Sequence, residues 1–331
     1  MKSITAFFQH KKTVIIIKLI IPSAILVYLI NRVDVSLTKS LIVQTNLSIF
    51  VLSFVLLCIR NIVGAYRNSI LLKFKKMDFS VAALTRYYFI GNFFNLFLPE
   101  LVGRDIARGY YLYNSSSGKK EAISSIVVER FIGTAALMLL SLFSVLLAVS
   151  MDVNVISNDI VKVIIIIFTA GCLMMILFFY EKTDRFFERL MPESARTKIH
   201  SAITFIRDII SYGKSPVIII YTLLISIVFQ FIGVIAVFLL ALSLESTVYF
   251  IYFLIFLPVI WIAGMLPVSP NGLGVREGTF VFLFSSAGMS KEMAVAICLL
   301  LIFQNLCLGL IGGILFVIEK KKDENNPVNP V

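Results

Sequence analysis

Three short stretches hold the residue types that could do chemistry. Arg104-Asp105 and Arg108 follow Leu98-Pro99-Glu100-Leu101-Val102-Gly103. Arg276-Glu277 follow Leu266-Pro267-Val268-Ser269-Pro270-Asn271-Gly272-Leu273-Gly274. Glu129-Arg130 lie about two turns into a long apolar run. Each stretch sets a guanidinium beside a carboxylate in chain that is otherwise apolar. A guanidinium is a planar fork that can grip two oxygens of a phosphate. A helix beginning at Gly274-Val275 would add free N–H groups and the positive end of its dipole, a combination that binds anions. The chemistry these residues suit is recognition of an anion, phosphate above all, with Arg104, Arg108, Glu129, Arg130, Arg276 and Glu277 as the candidate binding residues. Glu129 and Glu277 would orient the arginines or meet a cationic group. In the simpler alternative, Arg104–Asp105 and Arg276–Glu277 are internal charge pairs that only hold their turns. Adjacent on a helix, Glu129 and Arg130 point about 100° apart, so separate partners are expected for them.

Enzymatic chemistry has a weaker basis. A paired acid and base, an activated nucleophile or a set of metal ligands in a cavity would be needed. Glu100, Asp105, Glu129 and Glu277 each have an arginine close by in sequence, which suits charge pairing better than proton transfer. Cys58, Cys172, Cys298 and Cys307 stand singly in apolar segments, as packing residues do. No catalytic residue, metal ligand or cofactor is assigned, and without a Walker loop ATP is not the direct energy source.

The elements that must position these charges are membrane helices. Of the 331 residues, 59% are hydrophobic and 15% charged, far from a soluble composition. The net charge of +11 comes from basic residues clustered beside apolar runs. That is the positive-inside pattern rather than a nucleic-acid surface, and such loops attract anionic headgroups. Loop charge and apolar length predict full spans at 14–30, 47–72, 121–150, 160–180, 216–242 and 292–318, with both termini cytoplasmic. The first is read as a span rather than a signal peptide because no small-residue cleavage site follows it. The loop 31–46 fits the outer side.

Residues 81–98 have basic flanks on both sides, which disfavours a simple crossing. A re-entrant helical hairpin turning at Pro99 and Gly103 is the economical solution, and 248–288 repeats it around Pro267, Pro270, Asn271, Gly272 and Gly274. Irregular backbone survives at membrane depth only where protein or a water-filled cavity covers it. Gly272 and Gly274 are expected at positive φ. The predicted fold is therefore an all-α polytopic membrane protein. It has six full spans plus two re-entrant hairpins in an inverted-topology repeat, about eight transmembrane helices, or ten if both hairpins cross fully. A single domain, 1–322, has repeat halves 1–155 and 156–322, a cytoplasmic amphipathic segment 181–215 and a disordered tail 323–331. Arg67 is read as snorkelling from the cytoplasmic end of its span. For Arg60, deeper in the same span, snorkelling and an intramembrane functional site weigh equally.

Three blocks then carry a family resemblance: Gly91-Asn92-Phe93-Phe94-Asn95 through Leu98-Pro99 to Gly103-Arg104-Asp105 and Arg108; Ser124-Ser125-Ile126-Val127-Val128-Glu129-Arg130; and Pro267 through Gly278. Together they resemble the lysylphosphatidylglycerol synthase transmembrane-region family, the flippase-like domain proteins, over residues 14–318. The resemblance implies movement of phospholipid, aminoacyl-phospholipid or lipid-linked headgroups between the leaflets of a prokaryotic inner membrane. The alternative it implies is an enzyme, or enzyme subunit, of aminoacyl-lipid or lipid-linked glycan synthesis. Full-length aminoacyl-lipid synthases add a soluble transferase domain, and the expectation here is a stand-alone membrane region. The implied partners are membrane lipids that are anionic or phosphate-bearing. A separate lipid-modifying enzyme and a second copy of the chain stay open, and nucleic acid is not expected. Where relatives often place a basic residue in the last helix, this chain has Gln304 beside Asn305.

Overall fold

The structure, a computed structural model, describes residues 33–98, 103–115, 118–150, 211–265 and 272–325, with 169 and 209 as isolated positions. Among the described residues there are nine α-helices, one 3-10 turn and no strand. They are α1 (Val35–Val43), α2 (Leu47–Phe74), α3 (Val81–Asn95), α4 (Gly103–Asn114), α5 (Lys119–Ser150), α6 (Pro216–Leu242), α7 (Phe250–Gly264), α8 (Val275–Ser286) and α9 (Lys291–Asn325).

Leu47–Phe74, Lys119–Leu147, Pro216–Leu242 and Lys291–Glu319 are long and apolar enough to cross a membrane. The shortest, at 27 residues, reaches about 40 Å at 1.5 Å per residue, more than the roughly 30 Å of hydrocarbon in a bilayer. These are four of the six expected spans. The other two, 14–30 and 160–180, lie outside the described residues. So do Pro99, Pro267, Pro270, Asn271, most of the amphipathic segment, and 326–331 of the expected tail. The tail's first residues, 323–325, are helical instead, because no helix breaker follows Lys322 before Pro327.

The loop 31–46 contains a helix that the charge reading did not predict. Asp34 caps α1, its carboxylate accepting from the Ser36 and Leu37 backbone N–H groups at 2.8 and 3.1 Å and from the Ser36 hydroxyl at 2.6 Å. The Ser36 hydroxyl first, then these N–H groups, hold the carboxyl below its ordinary value. A depressed folded-state pKa means that the cap stabilises α1 above the unfolded carboxylate pKa of about 3.9 and is lost as pH falls through the folded value. Amide resonances of Ser36 and Leu37, followed by NMR in micelles, are expected to shift below about pH 4. In Asp34→Asn, which keeps an acceptor oxygen but does not titrate, they should stay flat; equal shifts in both proteins would refute the cap.

The described elements form two compact units. The first comprises 33–55, 89–98, 103–104, 234–265 and 272–325. Its core is aromatic. Phe284 of α8 lies 4.6 Å from Phe253, 5.4 Å from Phe256 and 4.2 Å from Phe280, centroid to centroid. Here α8 packs on α7 and α9, and α1 packs on α9. Glycines let helices touch at backbone distance: a Cβ on Gly312 of α9 would stand 1.9 Å from the Phe89 carbonyl oxygen, and one on Gly309 would stand 2.4 Å from Leu96. Phe316 packs against Phe93 and Phe94 one turn further on.

The second unit comprises 56–88, 105–115, 118–150, 169, 209 and 211–233. Leu71, Val128, Ile132, Ile209 and Tyr212 form one buried cluster in it. The Tyr212 hydroxyl donates to Leu71 O at 3.3 Å, and Lys75 Nζ donates to Ser211 Oγ at 2.8 Å. Ile209 and Tyr212, near the end of the expected amphipathic segment, thus pack against α2 and α5, while Gly213 and Lys214 are exposed.

Helices α3 and α4 run antiparallel in close contact. Tyr87 stacks on Tyr111 and Arg108 lies over Tyr88. Gly91 faces Arg104, and a Cβ on Gly103 would meet Asn95 and Phe94 at 3.0 Å. Gly103 is therefore required by close approach, as its place at a hairpin turn suggested. Gly272 and Gly274 take φ of 67° and 81°, the positive values expected of them.

Candidate functional site

The second unit is built around Glu129. One helix turn of α5 carries it inward, leaving it 2% exposed. Arg67 and Asn68 of α2, Tyr88 of α3 and Arg108 of α4 all donate to its carboxylate. Asn68 Nδ2 does so at 2.9 Å and Arg108 Nη1 at 3.1 Å, while Arg67 Nη2 and the Tyr88 hydroxyl make short bonds to Oε1. Arg67 reaches on to Ser226 Oγ of α6 at 3.1 Å, and Ser226 in turn donates to Thr222 O. Arg108 Nη2 donates to Asp105 Oδ1 at 2.6 Å, and Arg130 Nε donates to the other oxygen, Oδ2. Among the described residues, three arginines and two carboxylates from α2, α4 and α5 thus make one network.

Exposure grades across it. The side chains of Arg67, Glu129 and Arg108 are 6%, 3% and 5% exposed, against 16% for Asp105 and 34% for Arg130. The inner part is a closed hub: a carboxylate offers about four lone-pair sites, and five hydrogen bonds from four donors crowd these. It can hold two buried guanidiniums but is poorly placed to pass protons. The outer part, Asp105–Arg130, presents a fixed guanidinium at the edge of the network, where an anion can reach it.

Glycine again makes room. A Cβ on Gly64 would come within 2.6 Å of the Tyr88 ring and 3.1 Å of the Phe229 ring. Phe229 of α6 receives two guanidiniums, Arg60 with Cζ 4.1 Å from the centroid and Arg67 at 4.7 Å.

The family model for the lysylphosphatidylglycerol synthase TM region matches residues 15–313. The chain belongs to this family. No curated protein and no solved structure gives a match. Family membership and the four candidate spans together make it a multi-pass membrane protein related to lipid handling.

In this TM-region protein the sequence-derived site residues fall into two groups. Arg108, Glu129 and Arg130 join one network, and Glu129 and Arg130 indeed find separate partners although Arg108 and Asp105 link them. Arg104, Arg276 and Glu277 belong to the first unit. Arg104 lays its aliphatic stem against Gly91. The Glu277 carboxylate turns back to accept the Gly274 N–H at 2.5 Å, so it caps its own helix. Arg276 is partly exposed on the first turn of α8.

One reading is corrected. Arg67 does not snorkel: it is 5% exposed and paired with Glu129. Its Nε is itself buried without a hydrogen bond, because both Nη atoms are turned toward Glu129 and Ser226. Asn68 and Tyr88 were not anticipated at all. A signal for α2 was present in the sequence: the pairs Arg60-Asn61 and Arg67-Asn68 repeat after seven residues, which sets both arginines on one face with Gly64 between them.

Proposed function

We propose that this protein moves phospholipid, aminoacyl-phospholipid or lipid-linked headgroups between the leaflets of the cell membrane, as a flippase or scramblase-like transporter with cytoplasmic termini. The observation that carries this reading is the charge network of α2, α4 and α5, closed around Glu129 and opening at Arg130. A lipid phosphate that meets the exposed part of the Arg130 side chain would join this network at its edge. In this reading Arg108 and Glu129 hold Arg130 and Asp105 in place. Arg276, at the start of α8, is the second headgroup contact, and α3–α4 and α7–α8 are the re-entrant hairpins of the repeat. A charged network in an apolar chain marks a substrate path more often than a scaffold.

The family description names a synthase. That favours one second reading, in which the chain is the membrane subunit of an aminoacyl-lipid synthase or similar enzyme and presents lipid to a separate catalytic partner.

Leaflet exchange in proteoliposomes separates these readings. The intact chain should speed exchange of fluorescent phosphatidylglycerol above empty liposomes, and Arg130→Gln should slow it about tenfold with little change in melting temperature. Exchange no faster than in empty liposomes would sink the transporter reading and advance the enzyme-subunit one. Equal rates for Arg130→Gln and the intact chain would remove Arg130 from the headgroup site.

A further inference from the structure

Helices α4 and α5 meet along an antiparallel seam that three contacts mark out. Asp105 pairs with Arg130, a Cβ on Gly109 would lie 3.7 Å from Ile126 Cδ1, and Lys119 Nζ lies 4.6 Å from the centre of the Tyr113 ring. Asp105, Gly109 and Tyr113 follow one another a turn apart on α4, while their partners step back along α5 in register. The seam runs from Lys119, at the start of a helix long enough to span, to Arg130, about 16 Å further along it. One end therefore lies at headgroup level and the other within the hydrocarbon.

The α4 lip of the seam is Ile106, Tyr110 and Tyr113, which recur at i, i+4 and i+7 and are 57%, 61% and 40% exposed. The opposite face of the same helix, Ala107, Arg108, Tyr111 and Leu112, is buried. On α5 the lip is Ile123, 39% exposed, between Lys119 and Arg130. Tyrosine suits a place where one end of the side chain is apolar and the other wet, and two of them on one outward face fit the headgroup level. The first turn of α5 sets Lys119 and Lys120, both exposed, against Glu121 alone, so the mouth of the seam is basic.

Gly109 has no packing reason to be glycine. A glycine inside a helix is destabilising relative to alanine. At Gly64 a Cβ would strike the Tyr88 ring at 2.6 Å, which accounts for that glycine. At Gly109, among the described residues, a Cβ would make only the ordinary contact with Ile126, and the residue is itself partly exposed. The missing side chain leaves a notch in the seam, halfway between Asp105 and Tyr113. Glycine is the residue found where a ligand comes close to backbone.

We propose that the α4–α5 seam is the lateral entrance for an anionic phospholipid from the leaflet on the Lys119 side. Its headgroup passes from Lys119 and Tyr113, through the Gly109 notch, to Arg130. This rests on the lipid reading above for its cargo and adds the way in. Charge complementarity selects the occupant: the phosphate meets a basic residue at each end of the seam, and the acyl chains lie against Ile106 and Ile123.

The test uses the full chain in vesicles of phosphatidylcholine and phosphatidylglycerol, the latter carrying a diazirine on its headgroup glycerol, with adducts mapped by mass spectrometry after irradiation. The intact chain should carry headgroup adducts on Tyr110, Tyr113 and Ile123, several times denser than on Tyr66 and Tyr221, an exposed tyrosine pair of α2 and α6. Gly109→Leu should lose those on Tyr110 and Ile123 about tenfold. Gly109→Ala should lose them about threefold while melting no lower than the intact protein, which separates the effect from loss of fold. Equal density on Tyr66 and Tyr221, or labelling unchanged in both Gly109 variants, would overturn the inference. So would a benzoylphenylalanine in place of Tyr110 that crosslinks a second copy of the chain instead of lipid, since the face would then serve self-association. Exchange measured on the same vesicles keeps the two claims apart. Seam adducts without exchange uphold the seam as a lipid site and refute transport; exchange without seam adducts refutes the seam and leaves transport standing.

Discussion

Glu129→Gln will lower the melting temperature of the purified protein by roughly 5 °C. The substitution keeps the shape of the side chain but removes the counter-ion of two guanidiniums, those of Arg67 and Arg108, whose side chains are only 6% and 5% exposed. Breaking a buried pair from one side costs about 3–5 kcal/mol, because the charge left behind has neither water nor partner. In a chain of 331 residues each kcal/mol is worth roughly 1–2 °C. Two comparisons make the cause specific. Tyr88→Phe removes one hydrogen bond to Glu129 and no charge, so a smaller loss of about 1.5–3 kcal/mol is expected. The triple variant Arg67→Met, Arg108→Met, Glu129→Leu removes all three charges and should recover most of the loss, since well-packed apolar side chains replace buried ion pairs at little cost. A Glu129→Gln protein that melts with the parent would show that the hub does not hold the helices together.

Gly312→Ala will also destabilise the protein, through packing alone. Its methyl would stand 1.9 Å from the Phe89 carbonyl oxygen and 2.7 Å from the carbonyl carbon, both backbone atoms. Nothing there can rotate away, so α9 must lift from the Phe89–Ile90 backbone. Gly309→Ala meets Leu96 Cδ1 at 2.4 Å, but that is the end of a flexible side chain that can turn aside. Overpacking costs typically 1–3 kcal/mol and more where backbone must move. Gly312→Ala belongs at or above the top of that range and Gly309→Ala near the bottom, with helix propensity returning up to about 1 kcal/mol to each. Gly288→Ala is the control for backbone strain. It has nothing within 4 Å but a φ of +88°, so about 1–2 kcal/mol is expected there. Thermal melting in detergent reads all three, and equal losses at 309 and 312 would refute the close approach.

What could be read from the sequence was the helical class, the four long spans among the described residues, and the turn glycines. Apolar run length decides the spans, and Gly103, Gly272 and Gly274 announce positions where a side chain or a negative φ would not fit. The short helix α1 was missed because loop charge says which side a segment lies on and nothing of its local structure, although Asp34 two residues before Ser36 is an ordinary cap. For the site, the gap was one of partners. Arg108, Glu129 and Arg130 were visible as charges in apolar chain, but pairing over 62 residues, as between Arg67 and Glu129, leaves no local trace. Arg67 looked like a snorkelling residue because Lys73, Lys75 and Lys76 follow closely. What contradicts that reading, a buried glutamate on another helix in need of a cation, is a tertiary fact.

Glu277 shows the opposite case. Its spacing after Gly274 was read for an anion site, yet the same spacing is that of a capping glutamate, and the carboxylate takes the N–H that an external anion would seek. Arg276 stands on the same turn, partly exposed.

We propose that guanidiniums in this membrane domain recognise the phosphate of a lipid as it changes leaflet. The measurement that tests it most directly is exchange, in one set of proteoliposomes, of three fluorescent lipids with matched chains: phosphatidylglycerol, phosphatidylcholine and a phosphate-free glycosyl diacylglycerol. The account predicts acceleration of the two phosphate lipids, phosphatidylglycerol the more, with the glycolipid left near the empty-liposome rate. Equal acceleration of all three would contradict it, since a path indifferent to phosphate has no use for these arginines.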